Sequence, residues 1–331
     1  MITLRRSSPR TSLRALRTAG TALLVAAAAG CSSLNTESAR TLGAAGCDVT
    51  GSGGEAVFAS RSEYQRALDA EAFFHGYAGA PVPERLLADY RTIQAELGAR
   101  RLVFNQLSEV YALFLSLADA RAADGLGAAV NRLGEAVNGY AAQINKAAAV
   151  TSADKDALAR IGGLAGKRIQ QRKLKAASAL IRERLESFAG LLEDPLVRTQ
   201  LTSFRRNLAA SRSAAVKLLW EKGLLDPSPL ISELGGDAGL KACKDAAKII
   251  ADPKSGFVQE ALGAVVSSRL ERRLDLVEQG YDASVRALRE LAAQHRALEN
   301  GGAASRARLH QLMTELALST ERLTTQAAQN E

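Results

Sequence analysis

The 331-residue chain is short of the residue types from which most functional sites are built. It has three histidines, three cysteines, two methionines, one tryptophan, and aromatic residues at only 5%. Three histidines at His75, His295 and His310 do not assemble a nucleophile, base and orienting acid with any spacing logic. No His-Glu-x-x-His or Cys-x-x-Cys pair occurs, and no cofactor or metal is expected, although His295 and His310 would face one another across a hairpin turn as half a site at most. Gly162 to Arg168 falls short of a phosphate-binding loop. Its glycine spacing is one residue too small, Arg168 stands where Ser or Thr belongs, and no strand precedes it. The chain is therefore read as a non-enzyme with no catalytic residues.

Few aromatics and abundant alanine imply a core of Leu, Ala, Val and Ile, which suits closely packed helices better than sandwiches. The periodicity agrees. After Pro83, Leu86, Tyr90, Ile93, Leu97, Phe104, Leu107, Tyr111 and Phe114 fall on one stripe that only Arg100 interrupts. Leu126, Val130, Leu133, Val137, Tyr140 and Ile144 repeat the pattern, with Gly127, Gly134 and Gly139 allowing a neighbouring helix close. A helix start is expected over Thr151 to Asp156, with the helix running to about Leu192. Asp194-Pro195 starts another, with a stripe through Leu201, Phe204, Leu208, Ala215 and Leu218. Breaks follow at Gly223 to Pro229 and Asp252-Pro253. Leu270, Leu274, Val277, Tyr281, Leu288, Leu291, His295 and Leu298, then Gly301-Gly302, then Leu309, Leu312, Leu316 and Leu323 predict a long helical hairpin.

Helices of some 40 residues reach about 60 Å, beyond the roughly 50 Å diameter of a compact sphere of this length. The expectation is an all-α, elongated antiparallel bundle with coiled-coil-like long helices over residues 61–331, sub-divided near 223–229. Residues 31–60, rich in Gly, Ser, Thr and Ala, read as a flexible tether.

The leader carries Arg5, Arg6, Arg10, Arg14 and Arg17, then the apolar run Thr21 to Gly30, which is too short to span a bilayer. Ala28, Ala29, Gly30 and Cys31 close it. This segment resembles the lipobox of bacterial lipoprotein precursors. The resemblance implies a signal peptide over residues 1–30, cleavage after Gly30, and acylation of Cys31, two or more acyl chains making a stable anchor. Ser32 and Ser33 after the cysteine go, in Gram-negative members, with transfer to the outer membrane. The alternative is an ordinary secretory signal followed by a coincidental cysteine. Cleavage removes five arginines and lowers the net charge from +8 to +3, so the basic whole-chain balance is no argument for nucleic acid.

With Cys31 acylated in an oxidising compartment, Cys47 and Cys243 are expected to pair, closing a loop of roughly 200 residues worth about 4–5 kcal/mol. Two separate thiols are the alternative. Lys167, Arg168, Arg172, Lys173 and Lys175 form the densest basic run. It reads as a solvated helix face or as a contact for anionic lipid headgroups, lipopolysaccharide or an acidic partner. Phe73, Phe74, His75 and Tyr77 read as a helix end folded onto the bundle, or as a docking surface.

Three functions fit: a lipid-anchored scaffold or accessory module with an envelope protein partner, a ligand-binding or sensory bundle with a pocket around Arg100, His75 or His295, and a membrane-inserting hairpin. A buried Arg100 in a cavity would favour the second. An Arg100 exposed in an apolar groove would favour the first.

Overall fold

The computed structural model describes residues 34–121, 125–150, 167–252, 254 and 256–328. The side chains at 167, 168, 200, 201, 205, 208, 237 and 323–328 fall outside that set. Also outside it are the lipobox Ala28, Ala29, Gly30 and Cys31, with Ser32 and Ser33, the helix start at Thr151 to Asp156, the glycines at 162, 163 and 166, and Pro253. Among the described residues the chain is all helical: α1 Thr36–Tyr77, α2 Glu84–Ala118, α3 Leu126–Gln143, α4 Lys167–Leu192, α5 Pro195–Glu221, α6 Ser228–Leu234, α7 Ala246–Ala251, α8 Gly256–Glu299 and α9 Arg306–Ala328. None of these helices is long and apolar enough to cross a membrane.

The tether expected at residues 31–60 is a helix from Thr36 onward. Asn35 caps it, its side chain accepting from the backbone N–H groups of Glu37 at 3.0 Å and Ser38 at 3.2 Å. Leu34 is already buried. The helix survives its glycines because they face the partner helix. A Cβ added at Gly46 would fall on the Tyr111 ring, one at Gly53 on the Phe104 ring, and one at Gly43 would stand 3.0 Å from Cβ of Leu115. Small residues thus let α1 and α2 approach until the two large rings lie against backbone, and this pair makes the most extensive contact among the described helices.

The stripe expected along α2 is realised. Ile93, Leu97, Phe104, Leu107, Tyr111 and Phe114 are buried, as are Leu126, Val130, Leu133, Val137 and Tyr140 on α3. Asp194 caps α5 by accepting from Leu196 N–H at 2.9 Å, with Pro195 at the first helical position. Gly301, at φ 79°, makes the turn between α8 and α9.

The direction of each helix follows from its contacts. Arg306 pairs with Glu37 at 2.7 Å and Gln171 donates to the Leu34 carbonyl at 3.4 Å, so α1, α4 and α9 begin at the same end, where α8 finishes. Glu63 on α1 faces Arg212 on α5 and Arg273 on α8, which fixes α5 as the downward continuation of α4. The last turns of α5, with α6, α7 and the start of α8, close a small second cluster around Trp220, Ile250 and Leu262. With 44 residues, α8 spans about 66 Å from this distal lobe to the Leu34 end.

Gly46→Ala is expected to cost about 1–3 kcal/mol by overpacking the Tyr111 ring. Gly139→Ala, on an exposed helical face with nothing within 4 Å, should gain up to about 1 kcal/mol from helix propensity. Urea midpoints for the two variants, moving in opposite directions, check the α1–α2 contact.

Candidate functional site

The cysteines do not pair. Both Cys47 and Cys243 are free thiols. Cys47 packs on the main core beside Tyr111, whereas Cys243 lies exposed in the distal lobe just ahead of α7. The rise of α8 between Leu262, in that lobe, and His295, which meets Tyr111, is about 50 Å. A disulfide needs Cα atoms within about 7 Å. Burial, with Asp48 adding to it, pushes the Cys47 thiol pKa up and away from reactivity.

The basic run on α4 does not form one charged face. Arg172 and Lys175 are exposed, Lys173 is partly covered, and the side chains of Lys167 and Arg168 are outside the described set. Further along, Arg182 is held by Glu299 at 3.0 Å and Glu186 at 3.2 Å, and Arg184 is buried beside Gly134. Acidic neighbours and the core take up part of this charge.

Arg100, the interruption in the α2 stripe, is buried. Glu96, one turn earlier, is buried beside it and accepts its Nη2 hydrogen bond. Tyr140 of α3 donates to Glu96 at 3.2 Å and accepts from Arg100 at 3.3 Å, and the Arg100 guanidinium lies 4.7 Å from the Tyr281 ring centroid of α8. Burial alone would lower the Arg100 pKa. Tyr140, Glu96 and Tyr281 outweigh it and hold the group above its ordinary value, while burial pushes the Tyr140 hydroxyl up. The guanidinium Nε has no protein partner. The adjoining cavity, about 50 Å³, has room for a water molecule and not for a ligand. Arg100 is therefore buried, as a ligand site would require, but its charge is already matched within its own helix.

His295 does not pair with His310, which is exposed. It is fully buried between Tyr111 at 3.0 Å from Nε2 and Ser178 at 2.8 Å from Nδ1. Ser178 also donates to the His295 carbonyl at 3.3 Å, so the set closes when Nδ1–H donates to Ser178 and Tyr111 donates to Nε2. Burial first, and the nearby Arg182 charge second, push its pKa down to about 3. Among the described residues no group of His, Cys, Asp and Glu could hold a metal ion. His75 sits apart, 3.3 Å from Glu71 near the far end of α1.

That far end has the most unusual surface. Phe73, Phe74 and Tyr77 are not folded onto the bundle; they are 38%, 38% and 50% exposed. With them at this end stand Leu224, Leu234, Leu240, Ile249 and Phe257, the last 75% exposed. The α1 and α5 ends meet here, Lys222 lying 5.7 Å from the Tyr77 ring. Sequence reading missed three groups: Glu96, which its four-residue offset from Arg100 signals, Glu63 with its arginines, and Trp220, whose uniqueness was the one available clue.

Glu96→Ala should destabilise the protein by about 3–5 kcal/mol, because it leaves Arg100 buried without its counter-charge, whereas Glu96→Leu combined with Arg100→Met should recover most of that loss. Denaturant unfolding of the single and double variants checks this. For His295 the native pKa lies below the unfolded value of about 6.5, so the unfolded chain takes up a proton first as pH falls. Between pH 7.5 and 5 wild type should lose about 2 kcal/mol of stability through this group. The His295→Gln variant should lack that decrement when midpoints are compared at the two pH values.

No protein-family model matches this chain, and no curated protein or solved structure matches it, so what it does has to be argued from these groups and their placement.

Proposed function

We propose that this chain is a lipid-anchored envelope protein whose bundle is a rigid spacer, fixed to the outer membrane through Cys31, facing the periplasm and presenting its distal lobe to a protein partner. The observation that carries the reading is the gathering of exposed Phe, Tyr, Leu and Ile side chains at the end of the bundle opposite Leu34. Exposed large apolar patches mark interaction surfaces. Leu34, three residues after Cys31, is already in the core, so an acyl group on Cys31 would hold the bundle close to the membrane with little slack. The lobe would then stand up to about 60 Å from that membrane. Neither the Arg100 cavity nor the His295 cluster offers a reacting centre in competition with this role.

Crosslinking in intact cells, followed by mild solubilisation and affinity purification, tests both parts. Cys31→Ala should release the protein from the membrane fraction while leaving it folded. Leu240→Asp with Phe257→Asp, both at exposed positions, should leave it membrane-bound but without its crosslinked partner. Full membrane retention of Cys31→Ala would refute the anchor. Undiminished crosslinking of the distal variant would refute the docking end.

A further inference from the structure

Between the C-terminal half of α5, the short α6 and the N-terminal half of α8 lies a cleft of about 580 Å³. That is within the roughly 300–1,000 Å³ of small-molecule sites. Its lining is divided by chemistry. Val216 and Trp220 from α5, Leu230 from α6 and Val266 from α8 supply an apolar wall, and Arg212, Arg269, Arg272 and Arg273 supply guanidinium groups.

The two carboxylates of the lining are already committed. Asp226 accepts from Ser228 N–H at 2.9 Å, and Glu233 pairs with Arg269 at 2.9 Å. Four arginines against these two leave the lining with a formal excess of two positive charges. Glu63 on α1, outside the lining, is shared among Arg66 at 2.9 Å, Arg212 at 3.3 Å and Arg273 at 3.9 Å, so counting Glu63 and Arg66 as well leaves the excess unchanged. Burial, opposed by Glu63 and reinforced by Arg212 and Arg66, holds the Arg273 pKa below its ordinary value. Arg272 is exposed at the mouth. An apolar wall beside concentrated arginines matches a ligand with an apolar body and an anionic head.

We propose that the α5–α6–α8 cleft binds a single-chain anionic amphiphile, its acyl chain against Trp220, Val216 and Val266 and its carboxylate or phosphate head at Arg212, Arg272 and Arg273. The guanidinium fork pairs with either head in the same bidentate geometry. The site is separate from the docking surface, since Leu240 and Phe257 do not line it.

Trp220 is the only tryptophan in the chain, so its fluorescence reports on this cleft. The full-length chain carrying Cys31→Ala, which has no acyl group of its own, is titrated below micelle-forming concentrations with decanoate, decyl phosphate, decanol and decyltrimethylammonium. The expected result is a saturable Trp220 response to decanoate or decyl phosphate, the tighter of the two naming the head group, with no saturable response to decanol or decyltrimethylammonium. Arg272→Gln should weaken the response about tenfold, as loss of one charge-assisted contact does. Leu240→Asp with Phe257→Asp should leave it unchanged, which separates failure of this site from failure of the docking end. The proposal is overturned if neither anion gives a saturable change, if the neutral or cationic chain binds as well as the anions, or if Arg272→Gln binds like wild type.

Discussion

The contact of the Tyr111 and Phe104 rings with the glycines of α1 sets the separation of α1 and α2, and much of the upper bundle is built on that separation. With its ring seated over Gly46, Tyr111 projects its hydroxyl to His295 of α8, and His295 reaches Ser178 of α4 on its other nitrogen. Phe104, seated over Gly53, meets Phe188 edge-on at 5.5 Å, and Phe188 meets Tyr140 of α3 in the same geometry. Two glycine positions on one helix therefore register four others. Glycine costs a helix up to about 1 kcal/mol relative to alanine, a cost that buried aromatic area of the size these rings contribute readily exceeds.

Two of the polar clusters inside this packing, around His295 and around Arg100, behave differently. The His295 set is neutral, so it can be fully satisfied without a counter-ion, and its weakness is that the unfolded chain protonates first. The Arg100–Glu96 pair is ionic and buried, which adds little net stability over an apolar pair but penalises any arrangement that separates the two. Its contacts to Tyr140 and Tyr281 bring α2, α3 and α8 together at one level, just above where α4 gives way to α5. Above that level the core is continuous. The distal cluster holds only Trp220, Ile250 and Leu262 as buried members, and α6 has no buried residue.

Where large apolar residues recur at helical spacing, the sequence was legible: α2, α3 and the α8–α9 hairpin follow the stripes read from it, down to the place of Arg100. The first helix was not legible because its core face is made of small residues. Gly43, Gly46, Thr50, Gly53 and Val57 follow three- and four-residue steps, with Tyr64 a heptad further on, and all are buried, yet composition alone marks this stretch as a linker. The periodicity was present, but hydrophobicity did not carry it. The cysteine pairing failed for a related reason. Counting thiols says nothing about position along a rod, and here the two lie far apart on it. The cleft was hidden altogether, because its arginines come from α5 and α8, some sixty residues apart in sequence, and meet only through the fold.

The distal lobe joins these features to a single mechanical consequence. α6 contributes Leu230 and Glu233 to the cleft and Leu234 to the exposed apolar surface, so one two-turn helix belongs to both. Having no buried residue, α6 rests on few contacts, and segments of that kind open at free energies well below the global value. Anything that fills the cleft adds contacts to α6 and so favours its docked position, stabilising that state by RT ln(1 + [L]/Kd). The same linkage runs backwards: a protein docked on Leu234 and its neighbours would hold α6 in place and tighten the cleft by the same factor. The upper bundle, with its aromatic rings locked on glycine, would take no part in that exchange and would supply its fixed frame.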